Sequence, residues 1–166
     1  MRKANVILCL VTLFAIIAAG CSQSDNSGTP NNNVNPSALD KCSDITDQST
    51  RDKCYMDNGI ANKEISSCDK IQNQSKKNVC YFVIAEAKQD LLVCGQITGK
   101  IIKENCYSRV GAAKQDASIC DSLTIQQPKD SCYRLVGIKK KDISICNKIV
   151  NSKLKDDCYN KIGLKY

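Results

Sequence analysis

Residues 94–120 read CGQITGKIIKENCYSRVGAAKQDASIC, and the two cysteine gaps inside this stretch decide the fold. Cys94 and Cys106 stand 12 residues apart, Cys106 and Cys120 stand 14 apart. Outward in both directions the alternation holds without a slip, through Cys42, Cys54, Cys68, Cys80, Cys94, Cys106, Cys120, Cys132, Cys146 and Cys158. The chain therefore carries five units with a period of 26 residues. Self-similarity at a fixed period of about 20 to 50 residues marks a repeat architecture, and it outranks other signals.

Other columns keep the register. Three residues after the first Cys of each unit stand Ile45, Ile71, Ile97, Leu123 and Ile149. Three before the second stand Arg51, Lys77, Lys103, Lys129 and Lys155, and directly after it Tyr55, Tyr81, Tyr107, Tyr133 and Tyr159. Five after it come Gly59, Ala85, Gly111, Gly137 and Gly163, and ten after it Glu64, Asp90, Asp116 and Asp142. Cys106, Tyr107, Val110 and Gly111 share one face of a 3.6-residue helix, so a long helix runs through the second Cys, from Lys103 to Lys114 in this unit. A short helix opens at Asp116, whose carboxylate suits an N-cap, and carries Ile119, Cys120 and Leu123 inward. Pro128 is expected between the two helices of unit four. A glycine costs about 1 kcal/mol inside a helix relative to alanine. Its recurrence in four of five units predicts close helix packing there rather than a hinge. The expectation is an all-α fold, an α-solenoid of five helical hairpins.

Pairing across the 12-residue gaps joins Cys42–Cys54, Cys68–Cys80, Cys94–Cys106, Cys120–Cys132 and Cys146–Cys158, with none left over. Each bridge then crosses a polar turn between antiparallel helices. Pairing across the 14-residue gaps strands Cys42 and Cys158. It would also have to span about eight residues of helix, roughly 12 Å, where a disulfide needs Cα atoms closer than about 7 Å. One disulfide per hairpin follows. A hairpin of this size buries too little apolar surface to fold alone, and each closed loop contributes roughly 3 kcal/mol in the loop-entropy model. Zinc ligation is disfavoured: the chain has no His and no closely spaced Cys pairs. A C-x-x-C redox motif is missing too. No metal, cofactor or catalytic residue is expected.

The ends of the chain differ from the array. Arg2 and Lys3 precede an apolar run from Val6 to Ala19, too short for a transmembrane helix. The run closes on Ala18-Ala19-Gly20-Cys21, which resembles the lipobox of prokaryotic lipoproteins. That resemblance implies removal of residues 1–20 as a signal peptide and a diacylglyceryl group on Cys21. Residues 21–34 then form a lipidated Cys and a polar tether, unable to build a core. The repeat domain spans 35–166, opening at Asn35-Pro36-Ser37, an N-cap followed by proline. No further short-helix pattern follows unit five before Tyr166.

Loss of Arg2 and Lys3 takes the basic residues from 24 to 22 against 17 acids, a mature net charge of +5. The charge is spread evenly, and with two Phe and no Trp the chain is not expected to bind nucleic acid. Lys88, Lys114 and Lys140, with the basic column before the second Cys, form two stripes. They read either as an anion-binding ridge or as solvated helix flanks. In plan the array resembles the helical-hairpin solenoids, such as the tetratricopeptide group, and most of all secreted forms stapled by a disulfide in every repeat. The resemblance covers residues 35–166 at the level of architecture and carries over no functional residue. It implies a binding or scaffold role, with a protein, peptide or envelope polymer as partner and the membrane held through the lipid anchor. The alternative is a structural envelope spacer without a specific ligand. An enzyme is less expected, because nearly every charged residue of note belongs to a repeated column.

Overall fold

A computed structural model describes residues 41–163 of the chain. The signal segment, Cys21, the tether and the proposed start at Asn35-Pro36 all lie outside these residues. The described residues are all-helical, without strands. After a helical stretch at 41–43 come α1 (Gln48–Asn62), α2 (Ile65–Asp69), α3 (Gln74–Lys88), α4 (Leu91–Gly95) and α5 (Lys100–Lys114). These are followed by α6 (Ala117–Ser122), α7 (Gln126–Lys140), α8 (Ile143–Asn147) and α9 (Ser152–Lys161). Short and long helices alternate, and successive long helices pack directly on one another. This is an α-solenoid of five hairpins.

Repeated local chemistry bounds most of the long-helix ends. Asp47, Asn73 and Asn151 cap α1, α3 and α9, accepting from the amides of Thr50, Lys76 and Leu154 at 2.8, 3.0 and 3.1 Å. The first four longer helices end on Lys63, Gln89, Gln115 and Lys141, all left-handed with φ between 53° and 55°. The next amide turns back to the helix: Glu64, Asp90, Asp116 and Asp142 donate to the carbonyls of Gly59, Ala85, Gly111 and Gly137 at 2.8 to 3.0 Å. This closing turn satisfies carbonyls that a helix end otherwise leaves open. Asp90, Asp116 and Asp142 then cap the short helices, accepting from amides two residues on.

Disulfides join Cys42–Cys54, Cys68–Cys80, Cys94–Cys106, Cys120–Cys132 and Cys146–Cys158, with Cα separations of 5.5 to 5.8 Å. Each spans one hairpin, as the 12-residue gaps require. Five such bridges are the mark of an oxidising, extracytoplasmic setting. Ile71, Ile97, Leu123 and Ile149 are buried against them. The core divides into two clusters, one reaching Val110 and the other starting at Ala112, with Tyr107 packed against both. Each unit thus touches its neighbours rather than a common centre, which is how repeat arrays are stabilised.

Three details correct the sequence reading. Pro128 lies inside α7, at its third residue, and not between the helices. Amides of the first helical turn have no intrahelical acceptor, so proline costs nothing there, and its ring is fully buried. Gly163 lies beyond the end of α9 at φ +93°, with nothing within 4 Å of a side chain built on it. It does not share the packing role of Gly59, Gly111 and Gly137. At those three, an added Cβ would sit 3.1 Å from atoms of the following unit, including Cys80 Sγ, Ile119 Cβ and Cys146 Sγ. Helix α5 also starts earlier than the apolar pattern suggests, at Lys100.

Candidate interaction surface

Most of the repeated polar columns are consumed in holding the array together. Two residues before the second Cys stand Asp52, Asn78, Glu104 and Asp130, none more than 7% exposed. Each reaches the turn of the next unit. Asp52 accepts from the amides of Gln72 and Asn73 at 2.9 and 2.8 Å, and Asp130 from those of Val150 and Asn151 at 3.0 and 2.9 Å. Glu104 accepts from Thr124 and Ile125 at 3.0 and 2.7 Å. Asn78 makes the same joint as a neutral amide, accepting from Thr98 N and donating to its carbonyl, both at 3.1 Å. Burial alone would raise the carboxyls of Asp52 and Glu104, but the bonds they accept hold both below the ordinary range. The sequence reading missed this latch because the column mixes Asp, Asn and Glu. The constant offset from the second Cys was the signal that could have found it.

The tyrosines and lysines are spent similarly. Tyr81, Tyr133 and Tyr159 each donate to the residue after the first Cys of their own unit, Asp69, Asp121 and Asn147. Burial first, and then the bond to Asp69, push the Tyr81 phenol up to about 12. Lys88 and Lys114 reach the carbonyls of Lys63 and Gln89 at 3.3 and 3.4 Å, at the closed end of the preceding long helix. In the other stripe, Arg51 donates to the Ile45 carbonyl at 2.8 Å and Lys129 to that of Asp121 at 3.3 Å. A cation near a helix C-terminus meets the negative end of the dipole, so these contacts are structural.

The outward face of the central long helices carries exposed apolar residues instead. Val79, Val83 and Ile102 are 50%, 36% and 44% exposed, beside half-buried Phe82 and Leu135. Long helices flanking this band carry charge at the matching positions: Lys53 pairs with Asp57 at 2.6 Å, and Lys161 with Asp157 at 3.5 Å. Beside Phe82, Ile102 and Leu135 of the band lies an open cavity of about 350 Å3, lined also by Asn105, Ser108, Arg109, Ser131 and Arg134. Two guanidiniums rim it, each held by an acid of an adjacent unit. Arg109 meets Glu86 at 3.3 Å and Arg134 meets Asp157 at 2.6 Å. Burial would raise the Asp157 carboxyl, but the Arg134 bond and the Lys161 charge hold it below its usual value. Arg134 Nε is buried and finds no acceptor among the described residues. A donor left so costs about 1 to 3 kcal/mol, which an incoming acceptor would recover.

Among the described residues, no group of three or more His, Cys, Asp or Glu side chains is placed to hold a metal ion. No described helix is long and apolar enough to cross a membrane. Comparisons with protein-family models, curated proteins and solved structures find no match to this chain.

Proposed function

We propose that the chain is a non-enzymatic binding module, tethered outside a membrane through a lipid on Cys21, that holds a protein or peptide on the central long-helix face. One observation carries the reading: exposed Val79, Val83 and Ile102 group with Phe82 and Leu135 on the central long helices, where the flanking long helices carry paired charge at the matching positions. Grouped apolar surface of this kind, rimmed by polar residues, is what interaction sites present. Arginine beside apolar anchors is likewise characteristic of binding hot spots. The anchor rests on the Ala18-Ala19-Gly20-Cys21 lipobox and the polar residues after it. Two acyl chains give stable attachment where one is marginal. The plan of stapled hairpins, similar to that of tetratricopeptide-like solenoids, supports scaffolding over catalysis. So does the assignment of the shifted carboxyls and phenols to repeated joints. An envelope polymer is a further partner class that the same face would serve.

The test is affinity capture of the tagged, membrane-anchored protein from its host, wild type against Val83→Asp/Ile102→Asp. Both positions are exposed, so the fold survives the exchange. A partner recovered with wild type and lost with the variant supports the face. A partner set that the two proteins share refutes it, and the absence of any partner leaves the envelope spacer as the function.

A further inference from the structure

The two ends of the array carry the two halves of its internal joint. At four junctions, the residue two before the second Cys accepts backbone N–H groups from the turn of the following unit. Asp156 holds this position in unit five. It is exposed, and among the described residues nothing donates to it. At the opposite end, Thr46 and Asp47 stand where Gln72 and Asn73 stand in unit two. Among the described residues their amides find no acceptor. Apolar neighbours show the same incompleteness. Ile45 is half-buried where Ile71, Ile97, Leu123 and Ile149 are buried, and Ile162 is half-buried where Val110 and Val136 are fully covered.

We propose that copies of this chain join end to end, Asp156 of one accepting from the Thr46 and Asp47 amides of the next. The joint continues the one already made four times within the chain, and the occupant is therefore a second copy. Contact between unlike surfaces does not close on a two-fold axis, so it propagates beyond a dimer, as a row or a ring of copies. The end joint is weaker than the internal ones. Lys41 is exposed at the position where Val93, Ile119 and Ile145 are buried against the preceding unit. Its ammonium instead faces the carbonyl end of α9 in the neighbouring copy, a favourable but solvated contact. Association is accordingly reversible and rises with concentration. It is independent of any partner on the long-helix face.

Sedimentation velocity of the full exported chain carrying Cys21→Ser, so that no acyl group drives association, tests the proposal. The expected result is a ladder of species that lengthens with concentration. Asp156→Lys, at an exposed position, weakens the association about tenfold or more, since a hydrogen bond to a charged group contributes about 1.5 to 3 kcal/mol. Asp47→Pro removes one donor at the other end, and its φ of −70° already suits proline. Lys41→Glu, which sets like charge against α9, gives a second blocked N-terminal end without touching the α1 cap. Each variant alone is monomeric at concentrations where the wild type forms its ladder. Asp156→Lys mixed with either N-terminal variant forms a heterodimer that grows no further, because one sound end remains on each copy. Wild type that stays monomeric at every concentration overturns the proposal. So does association that the variants leave unchanged, or a mixture that fails to pair.

Discussion

Asp130→Ala removes one latch and should loosen unit five from unit four. The carboxylate accepts from Val150 N at 3.0 Å, Asn151 N at 2.9 Å and Gln126 Nε2 at 2.8 Å. The two bonds that cross between units contribute about 1.5 to 3 kcal/mol each when the acceptor is charged. Val150 and Asn151 are exposed, so water recovers part of the loss and about 2 to 3 kcal/mol remains. Asp130→Asn should cost about 1 kcal/mol, because an amide still accepts; Asn78 already does so at the junction of units two and three. Asp156→Ala is the internal control, and an exposed substitution of this kind stays within about 0.5 kcal/mol. Both alanines gain the same helix propensity, which cancels in the comparison. Urea melts at concentrations where the chain is monomeric provide the assay. Equal losses from Asp130→Ala and Asp156→Ala would refute the latch, as would an Asn variant no milder than the Ala variant.

Replacing Cys94 and Cys106 together by Ser should remove more helical circular dichroism than replacing Cys146 and Cys158. Both bridges close loops of equal length, worth roughly 3 kcal/mol, so the difference reports position in the array. One identical transition for both variants would make the domain fully cooperative instead. Gly137→Leu should destabilise strongly by melting temperature. Its Cβ would meet Cys146 Sγ and Cys158 Sγ at 3.1 Å, and two bridged sulfurs cannot give way. Stability should also depend on pH at both extremes. Asp52 and Glu104 are held below their ordinary values of 3.8 and 4.5, so their contribution is present above those values and lost as pH falls through the lower, folded ones. A melting temperature that holds steady from pH about 5 to 3 would contradict this. Tyr81 is raised from 10.0 to about 12, so its contribution is full below pH 10.0 and lost as pH rises through 12. Absorbance of tyrosinate should show that delayed titration, and Asp69→Ala should bring it only part of the way back, because burial, the larger cause, remains.

Hairpins and bridges were legible because a strict period turns one good unit into five. Cys94, Ile97, Cys106 and Val110 each sit at helical spacing, and their counterparts repeat the vote. Close packing at Gly59, Gly111 and Gly137 was legible for the same reason, while Gly163 of the same column does not share it. Less visible was anything that departs from the period. Pro128 occurs in a single unit, and whether it falls before or within the first turn depends on backbone geometry that its residue type permits in both places. The apolar band is invisible to column reading, since only Val83 and Leu135 share a column, and that column holds Asp57, Arg109 and Lys161 in the other units. The grouping of the band comes from the packing of three neighbouring long helices. The latch repeats in place but not in residue type, because all that the next turn requires is an acceptor oxygen.

The most direct test of a lipid-anchored, bridge-stapled array is mass spectrometry of a non-reduced digest of the protein from its host membrane. The account predicts an N-terminal peptide beginning at a diacylglyceryl-modified Cys21. It predicts five cross-linked pairs besides: Cys42–Cys54, Cys68–Cys80, Cys94–Cys106, Cys120–Cys132 and Cys146–Cys158. An unmodified Cys21 would contradict the anchor, and a peptide joining Cys54 to Cys68 would contradict the hairpins.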